Sequence, residues 1–152
     1  MLKPRDLGAH SVGAGWAGDA PDVFEALGEF ENAITCAKVE IAQFPCLVML
    51  QIDSWRAVGR SLAKLGRAGE AEEAFQTAIA EAQRCRVYFH EFLAQHDYIV
   101  HVLDKVGRRD EQLPALGECI TKLREAPSAY TRLLGSGLDA EAAVAAFNAA
   151  EH

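Results

Sequence analysis

The chain has 152 residues, half of them apolar, with four cysteines and a formal charge of −7 from 15 basic and 22 acidic side chains. That length suffices for one domain with its own core, needing neither metals nor disulfides. Residues 1–51 carry three basic and seven acidic groups, 52–109 nine and eight, and 110–152 three and seven, a distribution that argues against the basic footprint of a general nucleic-acid binder and against an anionic membrane surface.

In chain order, residues 1–18 hold four glycines and no helical period, which reads as an irregular arm whose one large anchor is Trp16. Residues 13–18 match G-x-G-x-x-G formally, but no strand precedes them and no β-α-β unit follows, so a nucleotide site is set aside. Asp19 and Pro21 predict an N-cap and a first-turn proline for a short helix through Leu27, closed by Gly28. A longer helix follows over 30–44 and stops at Pro45, whose ring disfavours helix at the residue before it. Over 46–65, Trp55, Val58, Leu62 and Leu65 stand three, four and three apart, on one face of a helix. Gly59 among them costs about 1 kcal/mol relative to alanine, which points to close approach by a second helix. Gly66 ends that helix as a left-handed cap. Ala71, Phe75, Ala78 and Ala82 then repeat the spacing over 70–84. The second helix therefore folds back on the first, and small residues at 71, 74 and 78 let the two axes approach closely.

Segment 87–106 is the most apolar. Tyr88, Phe92, Ile99, Leu103 and Val106 make one face and Phe89, Leu93 and Val100 an adjoining one, a breadth that calls for neighbours on two sides. Gly107 ends it. Asp110 is expected to cap the next helix, in which Leu113, Leu116, Ile120 and Leu123 are in register and Pro114 falls in the first turn. Pro127 opens a short helix over 127–134, Gly135 and Gly137 break it, and Asp139 caps a last helix over 140–149.

The stretch 55–82 resembles a tetratricopeptide repeat: Trp55, Val58-Gly59, Leu62, Gly66, Ala71, Phe75 and Ala78 stand in that motif's order and spacing, with Gln83 in place of the closing proline. Gly28, Ala33, Ala37, Ile41 and Pro45 match Gly66, Ala71, Phe75, Ile79 and Gln83 in a more degenerate unit, whose first helix is short and lacks the tryptophan. Leu134-Gly135, Asp139-Ala140 and Val144 echo Leu65-Gly66, Glu70-Ala71 and Phe75. The resemblance implies an all-α fold, antiparallel helical hairpins stacked as a short α-solenoid of seven to eight helices. The arm 1–18 would precede a single repeat domain, 19–152, with units over 19–45, 46–85 and 86–125 and capping helices over 127–150. Between Gly28, Gly66 and Gly107 the intervals are 38 and 41 residues, against about 34 in the family, so helices or loops are longer than usual. The small-residue last helix would close the open end of the array, with an oligomer contact as the alternative.

Chemistry has little purchase on this sequence. Cys36, Cys46, Cys85 and Cys119 lack metal-ligand spacing and sit among apolar neighbours, which reads as buried thiols of an intracellular, reducing compartment, cytoplasmic or within an organelle. No apolar run approaches the roughly 18–20 residues that span a bilayer. His90, His96 and His101 point in different directions round their helix and do not make a metal pair. No nucleophile motif is present, and no cofactor or enzyme activity is expected. The informative feature is a basic stripe, Arg56, Arg60 and Lys64, spaced four and four. Such neighbours repel by a few tenths of a kcal/mol per pair, so counter-charges should come from elsewhere. In the family the matching face lines a concave peptide groove. The resemblance would therefore place Asp53, Arg56, Arg60 and Lys64 in the groove from one unit, and Asp97, His101 and Lys105 from the next, fitting an extended peptide with acidic groups. Internal pairing of Arg56 and Arg60 with Asp97 and Asp104, or a solvated face, are the other readings. The expected function is a non-enzymatic protein-interaction or scaffold module. A small structural subunit of a larger assembly, or the repeat domain of a longer protein, is the alternative.

Overall fold

The structure, a computed structural model, describes residues 14–126 together with 140, 141, 144 and 145, and of 14–19 the backbone alone. All regular structure in it is helical. Over residues 14–126 the α-helices are α1 (Ala14–Ala26), α2 (Phe30–Gln43), α3 (Val48–Lys64), α4 (Ala68–Cys85), α5 (Tyr88–Tyr98) and α6 (Leu113–Glu125). Each packs antiparallel on the next, and α3 also touches both α1 and α5. No helix among the described residues is long and apolar enough to cross a membrane. The two helices expected after residue 126 lie mostly outside the described residues, although 140–141 and 144–145 are helical and Val144 is fully buried in the main core.

The α3/α4 hairpin is the centre of that core. Ala71, Ala74 and Ala78 are buried, as is Phe75, whose ring lies against the bare backbone of Gly59. A Cβ on Gly59 would sit 2.7 to 2.8 Å from three ring carbons. The glycine is thus required by packing, and the helix cost it carries is outweighed by full burial of an aromatic ring. Beyond Gly59 the Phe75 ring stacks on Tyr98 and on His101 of the segment after α5, at centroid distances of 6.1 and 6.3 Å.

Three turns share one construction. Gly28, Gly66 and Gly107 adopt φ of +73°, +77° and +72°, the left-handed conformation that closes a helix. In each, the residue after the glycine donates its N–H back to a buried residue's carbonyl: Glu29 to Phe24 at 2.8 Å, Arg67 to Leu62 and Arg108 to Leu103 at 2.9 Å. The second and third turns add the same ion pair across three residues, Arg67 Nε to Glu70 Oε2 at 2.6 Å and Arg108 Nε to Glu111 Oε2 at 3.0 Å. α4 ends with the same backbone bonds on a non-glycine, Arg86, at φ +55°.

Four local expectations are corrected. α1 begins at Ala14 rather than after Asp19, so the last five residues assigned to an irregular arm are helical and Pro21 is internal. Burial of Ala20 and Phe24 against α2, together with burial of Pro21, outweighs the poor helix propensity of this segment. The segment over 87–106 is not one α-helix: α5 gives way at Ile99–Leu103 to a π turn and then to a 3₁₀ turn at Asp104–Val106. All five residues of the π turn are buried, so no solvent-facing stripe holds them to the α period. Asp110 lies in a 3₁₀ turn, Arg109–Glu111, and α6 starts after Gln112 without a side-chain cap. Cys46 is exposed because it sits in the turn after Pro45, ahead of α3; Cys85 is half-buried, and only Cys36 and Cys119 are buried thiols.

Candidate functional site

The basic stripe of α3 and the acidic positions of its two alternate neighbours meet in one network. Arg56 donates from Nε to Asp97 Oδ2 at 2.9 Å and from Nη1 to Asp53 Oδ1 at 2.9 Å. Arg60 donates from Nη1 to the same Asp97 oxygen at 3.0 Å. With Nε and Nη2 it forks onto Glu25 at 3.0 and 2.9 Å, and Nη2 also reaches Asp22 Oδ1 at 3.1 Å. A bidentate guanidinium–carboxylate fork is the strongest ion-pair geometry that side chains make. One arginine of α3 therefore ties α1 on one side to α5 on the other.

Burial sharpens the network. The Asp97 side chain is 10% exposed, and those of Arg56 and Arg60 are 15% and 18% exposed. Desolvation pushes the Asp97 carboxyl up, but the charges of Arg56, Arg60 and His101, with the Arg60 hydrogen bond, outweigh it and hold it below the usual aspartate range. Glu25 goes the other way: burial raises it more than Arg60 lowers it. His90 Nε2 stands 3.8 Å from Asp53 Oδ2. Desolvation holds that imidazole below its ordinary value, with Asp53 opposing and Arg56 adding.

Of the residues named from sequence, Asp53, Arg56, Arg60 and Asp97 are brought together. His101 is buried in the π turn, stacked on Phe75, and close enough to act on Asp97 electrostatically. Lys64 and Lys105 are exposed at the ends of α3 and of the 3₁₀ turn after α5. Asp104, expected as a counter-charge for the stripe, pairs with Arg109 at 2.7 Å. Sequence reasoning missed Asp22 and Glu25. They form an acidic pair three apart on α1, a signal hidden by the glycines and proline that make this helix look too short to reach α3. Two guanidiniums here meet four carboxyl groups, so the stripe that reads as basic in sequence is the centre of an acid-rich network.

Elsewhere the described surface offers shallow hollows. One of about 520 Å³ is lined by Cys46, Leu47, Met49, Cys85 and Val87 among others, and its wall is mainly apolar. Among the described residues no group of three or more His, Cys, Asp or Glu side chains is placed to hold a metal ion. Burial pushes the Cys36 and Cys119 thiols up to about 12, with nearby Glu40 and Glu91 adding, so both stay protonated and unreactive. Comparison with protein-family models, curated proteins and solved structures finds no match for this chain.

Proposed function

We propose that this chain is a non-enzymatic protein-interaction module, a short tetratricopeptide-like array whose inner face, built from α1, α3 and α5, receives a polypeptide. The observation that carries the reading is the thrice-repeated turn at Gly28, Gly66 and Gly107, each closing the first helix of a hairpin, with those first helices side by side. Stacked hairpins of this kind present an extended concave face suited to binding another chain. Arg56 and Arg60 already hold carboxylates of this chain. An acidic segment would engage the exposed Lys105 and, in competition with its contacts inside the chain, the exposed Lys64 at the edge of the face.

A second reading, a small permanent subunit of a larger assembly, draws on a different observation. Leu27, Leu65 and Val106, each just before one of the turn glycines, are 67%, 38% and 60% exposed. Apolar side chains left out at equivalent positions suit a lasting contact along that edge. Two variants separate the readings, Lys64→Glu/Lys105→Glu and Leu27→Ser/Leu65→Ser/Val106→Ser, both altering exposed groups only. Partners captured by the wild-type chain from its own source extract should be lost by the lysine variant and kept by the apolar one. The reverse pattern would support the subunit reading and overturn the groove.

A further inference from the structure

We infer that the surface under α1 is a docking site for an acidic amphipathic helix of a partner protein, and that α1 is its occupant in cis. The inference rests on the interaction-module reading and names the chemistry of the ligand. α1 is a poor helix by composition. Within 13 residues it holds Gly15, Gly18 and an internal Pro21. Glycine and proline are the two poorest helix formers, and Pro21 offers no N–H to the carbonyl four residues back. What keeps the helix in place is therefore its contact with the rest of the chain.

The apolar part of that contact stands apart from the main core. Ala20 and Phe24 of α1 pack with Ala33 and Cys36 of α2 in a cluster distinct from the main core. Across to α3 the polar grip includes Arg60, held by Glu25 in a fork and by Asp22. Asp22, Phe24 and Glu25 thus form the pattern of a ligand: an aromatic anchor flanked by carboxylates that fit a fixed guanidinium. The receptor half, Arg60 with Ala33 and Cys36, stands on helices whose other faces belong to the main core, through Ile34 and Ala37 of α2 and Ala57 and Leu62 of α3. Release of α1 would leave that half folded. Arg60 would also remain oriented, since Asp97 still holds its Nη1. A partner helix carrying two acids three residues apart around an aromatic residue satisfies the same groups. A cis occupant lowers the apparent affinity for such a partner by the fraction of chains in which it has left.

Two measurements on the full chain test this. In the wild type, amide hydrogen exchange should be at least about a hundredfold faster in α1 than in α3, which reports local release below the global unfolding limit. A labelled peptide of residues 14–28 is then added to the wild-type chain and to Asp22→Lys/Glu25→Lys, in which the new cations repel Arg60. The peptide should bind the variant at least about tenfold more tightly than the wild type, and addition of Arg60→Glu to the variant should abolish that binding. Exchange in α1 as slow as in α3 would overturn the inference, even if the variant failed to fold. So would equal binding to both chains, or a variant with α1 released that leaves the peptide free. Neither failure touches the groove reading, which stands or falls on Lys64 and Lys105.

Discussion

At the scale of single residues the fold turns on one contact, Phe75 against Gly59. Alanine is the better helix former by about 1 kcal/mol, yet its Cβ would fall inside the ring's van der Waals envelope. Overpacking of a filled core typically costs about 1–3 kcal/mol, and a ring pinned between Gly59, Tyr98 and His101 has little room to give. Gly59→Ala should therefore destabilise the chain by about 1–2 kcal/mol in urea unfolding, against the sign of its helix propensity. Adding Phe75→Leu should recover part of the loss, a coupling expected for residues in contact. A neutral or stabilising Gly59→Ala would mean that the ring sits elsewhere. The close approach at Gly59 was legible in sequence, because a glycine within a strong apolar stripe weakens its own helix and gains chiefly by letting a neighbour come close; that the Phe75 ring makes that approach was not. The partners of Arg60 on α1 were not, because two glycines and a proline conceal a helix that tertiary burial holds together.

Helix ends were the most readable elements wherever a glycine marked them, and the least where it was absent. Gly28, Gly66 and Gly107 announce their turns; Arg86, which makes the same turn at φ +55°, gives no signal. A side chain with a Cβ in the left-handed region carries roughly 1 kcal/mol of strain that glycine lacks. Arg86→Gly should raise stability by about 0.5–1 kcal/mol, read as a higher urea midpoint with an unchanged slope. A loss of stability would show that the Arg86 side chain holds the turn by contacts of its own. The π turn at Ile99–Leu103 was equally silent. A run such as Ile99-Val100-His101-Val102-Leu103 is apolar on nearly every face, so periodicity cannot tell an α turn from a wider one. It also shifts whatever follows. Lys105, placed by a strict four-residue count on the same line as Asp97 and His101, lies past this irregular turn.

Across the molecule as a whole, the charges of Arg56 and Arg60 form a bridge between alternate helices. Its acid dependence follows from Asp97. Because that carboxyl is held below its unfolded value, its contribution is complete above about pH 4 and is lost as pH falls through the lowered value. Glu25, raised by burial, acts with the opposite sign: its cost is present above its folded value and is relieved as pH falls through it. The two partly cancel in any simple acid titration, so the pairwise coupling is the sharper observable.

The most direct test of this bridge is a double-mutant cycle of Arg60→Met and Asp97→Asn in urea at pH 7, repeated in acid. The bridge predicts a coupling of about 0.5–3 kcal/mol that shrinks as Asp97 protonates. Additive effects at pH 7, or a coupling indifferent to acid, would contradict it and return the stripe on α3 to solvent or to an outside ligand.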